Sequence, residues 1–131
     1  MPANITPIFT LSPKIGQVAI ATANANRDGT GTVGTVLTAG SNGTRVNRIT
    51  IKASVTTTAG MIRLFIYNGS TYFLLREIAV AAITVSATVS AFEYILELLG
   101  ERALILPTGY SLRASTEKAE NFNIHAEGGD Y

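Results

Sequence analysis

The chain has 131 residues, a mass of 13.8 kDa and a net charge of +1, which suits one domain with a core of its own. A near-neutral balance and a pI near 8.1 give no electrostatic case for nucleic acid or an anionic membrane as partner. Cysteine is absent, so no disulfide framework argues for an oxidising compartment.

Residues 1 to 14 carry three of the four prolines, Pro2, Pro7 and Pro13, around Ile8 and Phe9. Proline at that density prevents a regular helix and weakens strand pairing. The segment is expected to be an extended arm that anchors Ile8 and Phe9 on another molecule, with residues 15 to 131 as the folded body. It lacks the basic start and apolar run of a secretory signal.

Short β-like runs follow at 17–22, 33–38, 46–54, 61–68, 71–80, 92–98, 110–116 and 122–127, separated by turn clusters such as "NANRDGTG", "TAGSNGT" and "LPTG". Eight such runs predict an all-β, single-domain sandwich of the jelly-roll kind. Between the fourth and fifth runs, Asn68-Gly69 predicts a two-residue type I′ turn, with positive φ at both positions. That register sets Phe65 opposite Tyr72 and Ile62 opposite Leu75. Its core face is then Ile62, Leu64, Ile66, Phe73 and Leu75. A four-residue loop would keep these faces but put Arg63 opposite Arg76, a like-charge pair. Asn68-Gly69-Ser70 and two further glycan-acceptor matches read as turns for the same chemical reasons.

The apolar tract from residue 79 to 99 is broken by Glu93 and Glu97, which argues against a membrane span. Its last part, "FEYILELL", fits a helical stripe as well as strand alternation. Strand is preferred because the neighbouring runs are strands.

Chemistry-bearing motifs are few. Gly29-Thr30-Gly31-Thr32-Val33-Gly34 matches a dinucleotide fingerprint, but a strand rather than a helix is expected to follow it. His125 is the sole histidine, only Asp28 and Asp130 are aspartates, and no nucleophile elbow is present. Glu93 and Glu97 read as solvated. No catalytic, cofactor or metal site is therefore assigned, and the chain is expected not to be an enzyme.

The second face of the hairpin is unusual for a wet surface. It presents Met61, Arg63, Phe65, Tyr67, Tyr72, Leu74 and Arg76, and seven of the ten basic residues of the chain are Arg. Aromatics with Arg and little Lys are the composition of an interface core. The face is expected to be buried between subunits, most simply in a homotrimer, with Phe65 and Tyr72 as paired anchors. The alternative is cover by another strand or loop of the same chain.

Two stretches, "SNGTRVNRITIKASVTTTAGMIRLFIYNGSTYFLLREI" and "LILPTGYSLRASTEKAENFNIHAEGGDY", resemble head-decoration, or cement, proteins of tailed bacteriophages. The similarity runs from about residue 22 to 131, and "LPTGYSLRAST" is its clearest part. The resemblance implies a β-sandwich, often oligomeric, that binds the major capsid protein on the virion exterior and stabilises the lattice without catalysis. It implies synthesis in the host cytoplasm and no cofactor. It supplies no position-by-position set of functional residues. The competing reading is a carbohydrate-binding module of a tail fibre or baseplate. A chain with no Trp and two Asp is poorly supplied for that role.

Overall fold

The computed structural model describes residues 9–131. Its strands are β1 (Ser12–Ile20), β2 (Gly34–Thr38), β3 (Thr44–Ala53), β4 (Gly60–Tyr67), β5 (Tyr72–Val80), β6 (Glu93–Glu97), β7 (Leu104–Leu106), β8 (Ser111–Thr116) and β9 (Phe122–Asp130). Period-two alternation decides which side chains go inside. Val46, Ile49, Ile51 and Ala53 of β3 and Phe122, Ile124 and Ala126 of β9 meet Ile62 and Leu64 of β4 and Leu112 and Ala114 of β8, each at most 1% exposed. Burying each Ile or Leu among them stabilises the fold by about 1.5–3 kcal/mol.

All strand pairs are antiparallel. One sheet runs β1-β9-β3-β6, with β7 extending the pairing of β3; the other runs β2-β8-β4-β5. With the three-residue β7 set aside, the first strand pairs with the last and the second with the next to last, which is the winding of a jelly roll. The expected sandwich is therefore present. The 92–98 run forms strand β6, with Tyr94 and Leu96 turned toward the core and Glu93, Ile95 and Glu97 outward.

At one side of the sandwich β1 and β2 approach closely because residue 16 is glycine. A Cβ there would lie 2.3 Å from the Val36 carbonyl oxygen. Lys14 Nζ closes the same side by donating to the Thr38 carbonyl at 2.6 Å and pairing with Asp130 at 3.2 Å.

Three details differ from the sequence reading. First, β1 starts at Ser12, so residues 12 to 14 of the expected arm lie in the sheet, opposite Asp130, Gly129 and Gly128. Pro13 is tolerated because β1 is an edge strand. Second, β7 was not anticipated; three residues are too few for alternation to register.

Third, the β4–β5 hairpin is not closed by a type I′ turn. Among the described residues only glycines have positive φ, and in this loop that is Gly69 at 99°. Asn68 instead accepts at Oδ1 from the backbone N–H groups of Ser70 (3.0 Å) and Thr71 (2.8 Å), while its own N–H donates to the Thr71 carbonyl at 3.2 Å. The last strand pair is Tyr67 with Tyr72, leaving a four-residue loop. The Arg63–Arg76 clash that argued against such a loop is removed by a bulge. Phe65 pairs with Leu74 and Leu64 with Arg76, so Leu75 has no opposite number and Arg63 falls opposite Glu77. Ile78 and Val80 take the inner positions, and Phe73 and Leu75 are left 54% and 43% exposed.

Candidate interaction surface

The outer face of the β2-β8-β4-β5 sheet carries Met61, Arg63, Phe65, Tyr67, Tyr72 and Leu74 as expected, but the bulge sets Arg76 opposite Leu64 and turns it to the inner side, at the rim of the sandwich near Tyr94. Glu77 is the hinge of the charged part of that face. It receives Arg63 Nε at 3.2 Å and also pairs with Arg27. These two guanidinium groups, Arg27 foremost, hold the Glu77 carboxyl below the usual range. Arg63 is itself only 3% exposed. Its Nη1 and the hydroxyl of Ser115, which faces it across the β4–β8 ladder, have no hydrogen-bond partner among the described residues.

Arg27 belongs to the turn-rich loop between β1 and β2, which folds back over this face. Asn24 organises the loop from beneath. Its Nδ2 donates to the carbonyls of Thr30 and Thr32, both at 2.9 Å, and its Oδ1 accepts from Asn26 N–H at 3.0 Å. Asp28 accepts from the Thr30 hydroxyl at 2.6 Å and the Thr30 N–H at 3.0 Å, and these bonds keep its carboxyl below the ordinary range. Gly29, at φ 86°, lies so close to Tyr72 that a Cβ would come within 2.2 Å of the ring.

The aromatic part is built within one chain. Phe65 meets Tyr72 edge-on at 6.1 Å and is fully enclosed. Tyr72 also packs on Tyr67 at 4.4 Å. Arg113, from β8, lies 4.3 Å over the Tyr67 ring and donates to the Tyr72 hydroxyl at 3.0 Å and to Ser111 Oγ at 2.9 Å. Sequence reasoning did not select Arg113, because nothing local to β8 shows that it lies beside β4.

The candidates thus divide. Arg63 and Phe65 are covered by their own chain and offer no surface to a partner. The Phe65–Tyr72 pair expected to anchor an intersubunit face packs edge-on within the chain, with Phe65 already enclosed. Met61, Tyr67 and Tyr72 are half-buried, while Leu74 (40%) and Arg76 are exposed. Phe9 is 75% exposed, and Ile8 lies outside the described residues. On β5, an edge strand, Phe73, Leu74 and Leu75 are each left exposed by the rest of the described chain, Leu74 on the outer face opposite Phe65 and Phe73 on the side of Ile66.

The remaining motifs are dispersed. The Gly29–Gly34 fingerprint leads into strand β2, so the helix N-terminus needed to hold a pyrophosphate is replaced by a strand. His125 Nδ1 lies 2.9 Å from Gln17 Nε2 on the outer face of the other sheet. Glu97 pairs there with Arg48 at 3.1 Å, and Glu93 is exposed. No three His, Asp or Glu side chains gather into a metal-binding group among the described residues.

No protein-family model matches the chain, and no curated protein matches it. Among solved structures it is similar to a pentameric capsid protein from metagenomic phage sequences, with 14% identity over 86% of this chain and a TM-score of 0.39. It is also similar to a structure of the T13 IBDV viral particle, with 14% identity over 99% of this chain and a TM-score of 0.36. The chain spans 59% and 36% of the length of those two proteins, and at these scores the overlaps carry no conclusion about it.

Proposed function

We propose that this chain is a structural virion protein that decorates a phage capsid lattice and stabilises it by protein–protein contacts. The observation that carries the reading is the apolar exposure along β5. Exposed edge strands are ordinarily blunted with charge, Lys above all. Here three large apolar side chains stand 40–54% exposed in succession and end at Arg76. Large apolar side chains left in water along an edge strand mark a contact site. The bulge at Leu75 interrupts the ladder, so side chains rather than an added strand make the contact. The resemblance to head-decoration proteins supplies the partner, the major capsid protein on the virion exterior. Leu74, with the half-buried Met61, Tyr67 and Tyr72 on the same outer face, forms the proposed interface; Phe9 and Ile8 form a second contact.

The carbohydrate-binding alternative has its nearest aromatic platform in Tyr67 and Tyr72. Arg113 already lies over the Tyr67 ring and donates to the Tyr72 hydroxyl, which disfavours sugar stacking.

Mixing the purified protein with emptied capsids of the encoding phage, then sedimenting and counting bound copies, tests the proposal. Hundreds per particle support it; a handful, or none, overturns it. A Leu74→Asp variant is expected to bind at least tenfold more weakly, as desolvated apolar anchors dominate such contacts. An oligomer belongs to the reading, a homotrimer being its simplest form. Light scattering would then give about three times the 13.8 kDa of one chain.

A further inference from the structure

Resting on that reading, we infer that the cleft between β5 and the β6–β7 side of the sandwich receives one apolar side chain carried on an acidic peptide segment of the capsid partner. The cleft holds about 190 Å³ and is walled by Leu75, Leu96, Leu98, Ala103 and Leu104. Leucine walls give water no hydrogen bonds, so an apolar group fits the cleft better than water does. The β5 bulge that leaves Leu75 without an opposite number in the ladder also places it in this wall. Bulges commonly re-aim a side chain beside a site.

Charge at the rim specifies what flanks the apolar group. Arg76 and Arg102 stand at the mouth, both exposed. Among the described residues the one side-chain hydrogen bond of Arg76 is a long one, 3.5 Å from Nη2 to the Tyr94 hydroxyl. Among the described residues neither arginine meets a carboxylate. The acids of the two bordering strands are engaged elsewhere or turned away: Glu77 holds Arg27 and Arg63, Glu97 holds Arg48, and Glu93 faces outward. Two guanidinium forks beside an apolar well match a carboxylate on either side of a Leu-sized group. Two cations on a chain of net charge +1 are too few for a membrane or nucleic-acid surface, and neither of those would use the leucine walls.

The test uses the full chain and two peptides, acetyl-Asp-Glu-Leu-Leu-Glu-Asp-amide and a lysine-flanked counterpart, followed by methyl NMR. The acidic peptide is expected to shift the Leu75, Leu96 and Leu104 methyls, and the lysine peptide to leave them in place. Ala103→Trp should fill the cleft and abolish the shifts. The rim variant Arg76→Glu, Arg102→Glu alters only exposed positions and should weaken binding at least tenfold with an unchanged fold. Equal binding of the two peptides, or no shift with the acidic one, overturns the inference. So does a shift with phosphatidylglycerol vesicles, or a fall in oligomer mass in the rim variant, which would make a second copy the occupant. In capsid sedimentation the two proposals separate. If the parent protein fails to pellet, the decoration reading falls; if the rim variant pellets as well as the parent, only the cleft assignment falls.

Discussion

Phe65 is the residue on which the two accounts of the hairpin's outer face diverge most. Its side chain has no exposed surface within a single chain and packs edge-on against Tyr72, which lies under Gly29. Phe65→Ala should therefore cost about 3–5 kcal/mol of folding stability, the range for emptying a buried aromatic site. The lost edge-on contact accounts for about 0.5–1.5 kcal/mol of it. For a chain of this size each kcal/mol moves Tm by roughly 4 °C, so a drop of about 12–20 °C is expected. Urea unfolding at several protein concentrations is the assay, with light scattering alongside. The loss should be the same at every concentration, because the cover over Phe65 comes from its own chain. A loss below about 1 kcal/mol, or one that grows on dilution, would show that another subunit buries Phe65, since only association couples stability to concentration.

Two further outcomes are expected. Asn68→Gly should destabilise by about 1 kcal/mol, because the Asn68 side chain accepts from two backbone N–H groups. A type I′ turn would instead be helped by glycine there, so a stabilised variant in urea unfolding refutes the four-residue loop. Asp130 has its carboxyl pKa lowered, first by the Thr44 hydroxyl and then by Lys14. A group depressed in the folded state adds stability above its ordinary value of 3.8 and loses it as the pH falls through the folded value. Asp130→Asn should therefore be less stable than the parent at pH 7, with the gap closing in acid; a gap that persists undiminished at pH 2 refutes the ion pair.

The sandwich was legible because its core strands alternate cleanly. In β3, Ile49, Ile51 and Ala53 go inside while Arg48, Thr50 and Lys52 face out, a bulge having shifted Val46 by one position, and the β9 pattern from Phe122 to Ala126 matches the run from Ile49. The N-terminal boundary was misplaced because proline density says that a segment is a poor central strand, and β1 is an edge. The loop over Tyr72 was illegible for a different reason. It depends on Arg27 meeting Glu77, fifty positions away in the chain, and on Gly29 landing on Tyr72. Local patterns carry no information about such encounters.

Aromatic and arginine composition singles out residues that favour burial, and the chain itself covers Arg63 and Phe65 among them; burial by a partner and burial by the same chain select the same residue types. The sequence did hold a cue that separates the two ends of the hairpin. In a regular ladder with a four-residue loop, Arg63 opposes Arg76, and that conflict can be relieved by a shorter loop or by an extra residue in one strand. The chain uses the second route. The extra residue reverses the facing of β5 beyond Leu75, sends Ile78 and Val80 into the core and leaves Phe73, Leu74 and Leu75 outside. The exposed apolar residues and the wall of the cleft thus arise from the same bulge. Deleting Leu75 would restore a regular ladder with Leu64 still opposite Arg76 and Arg63 still opposite Glu77, so the variant is expected to fold and to lose that wall of the cleft.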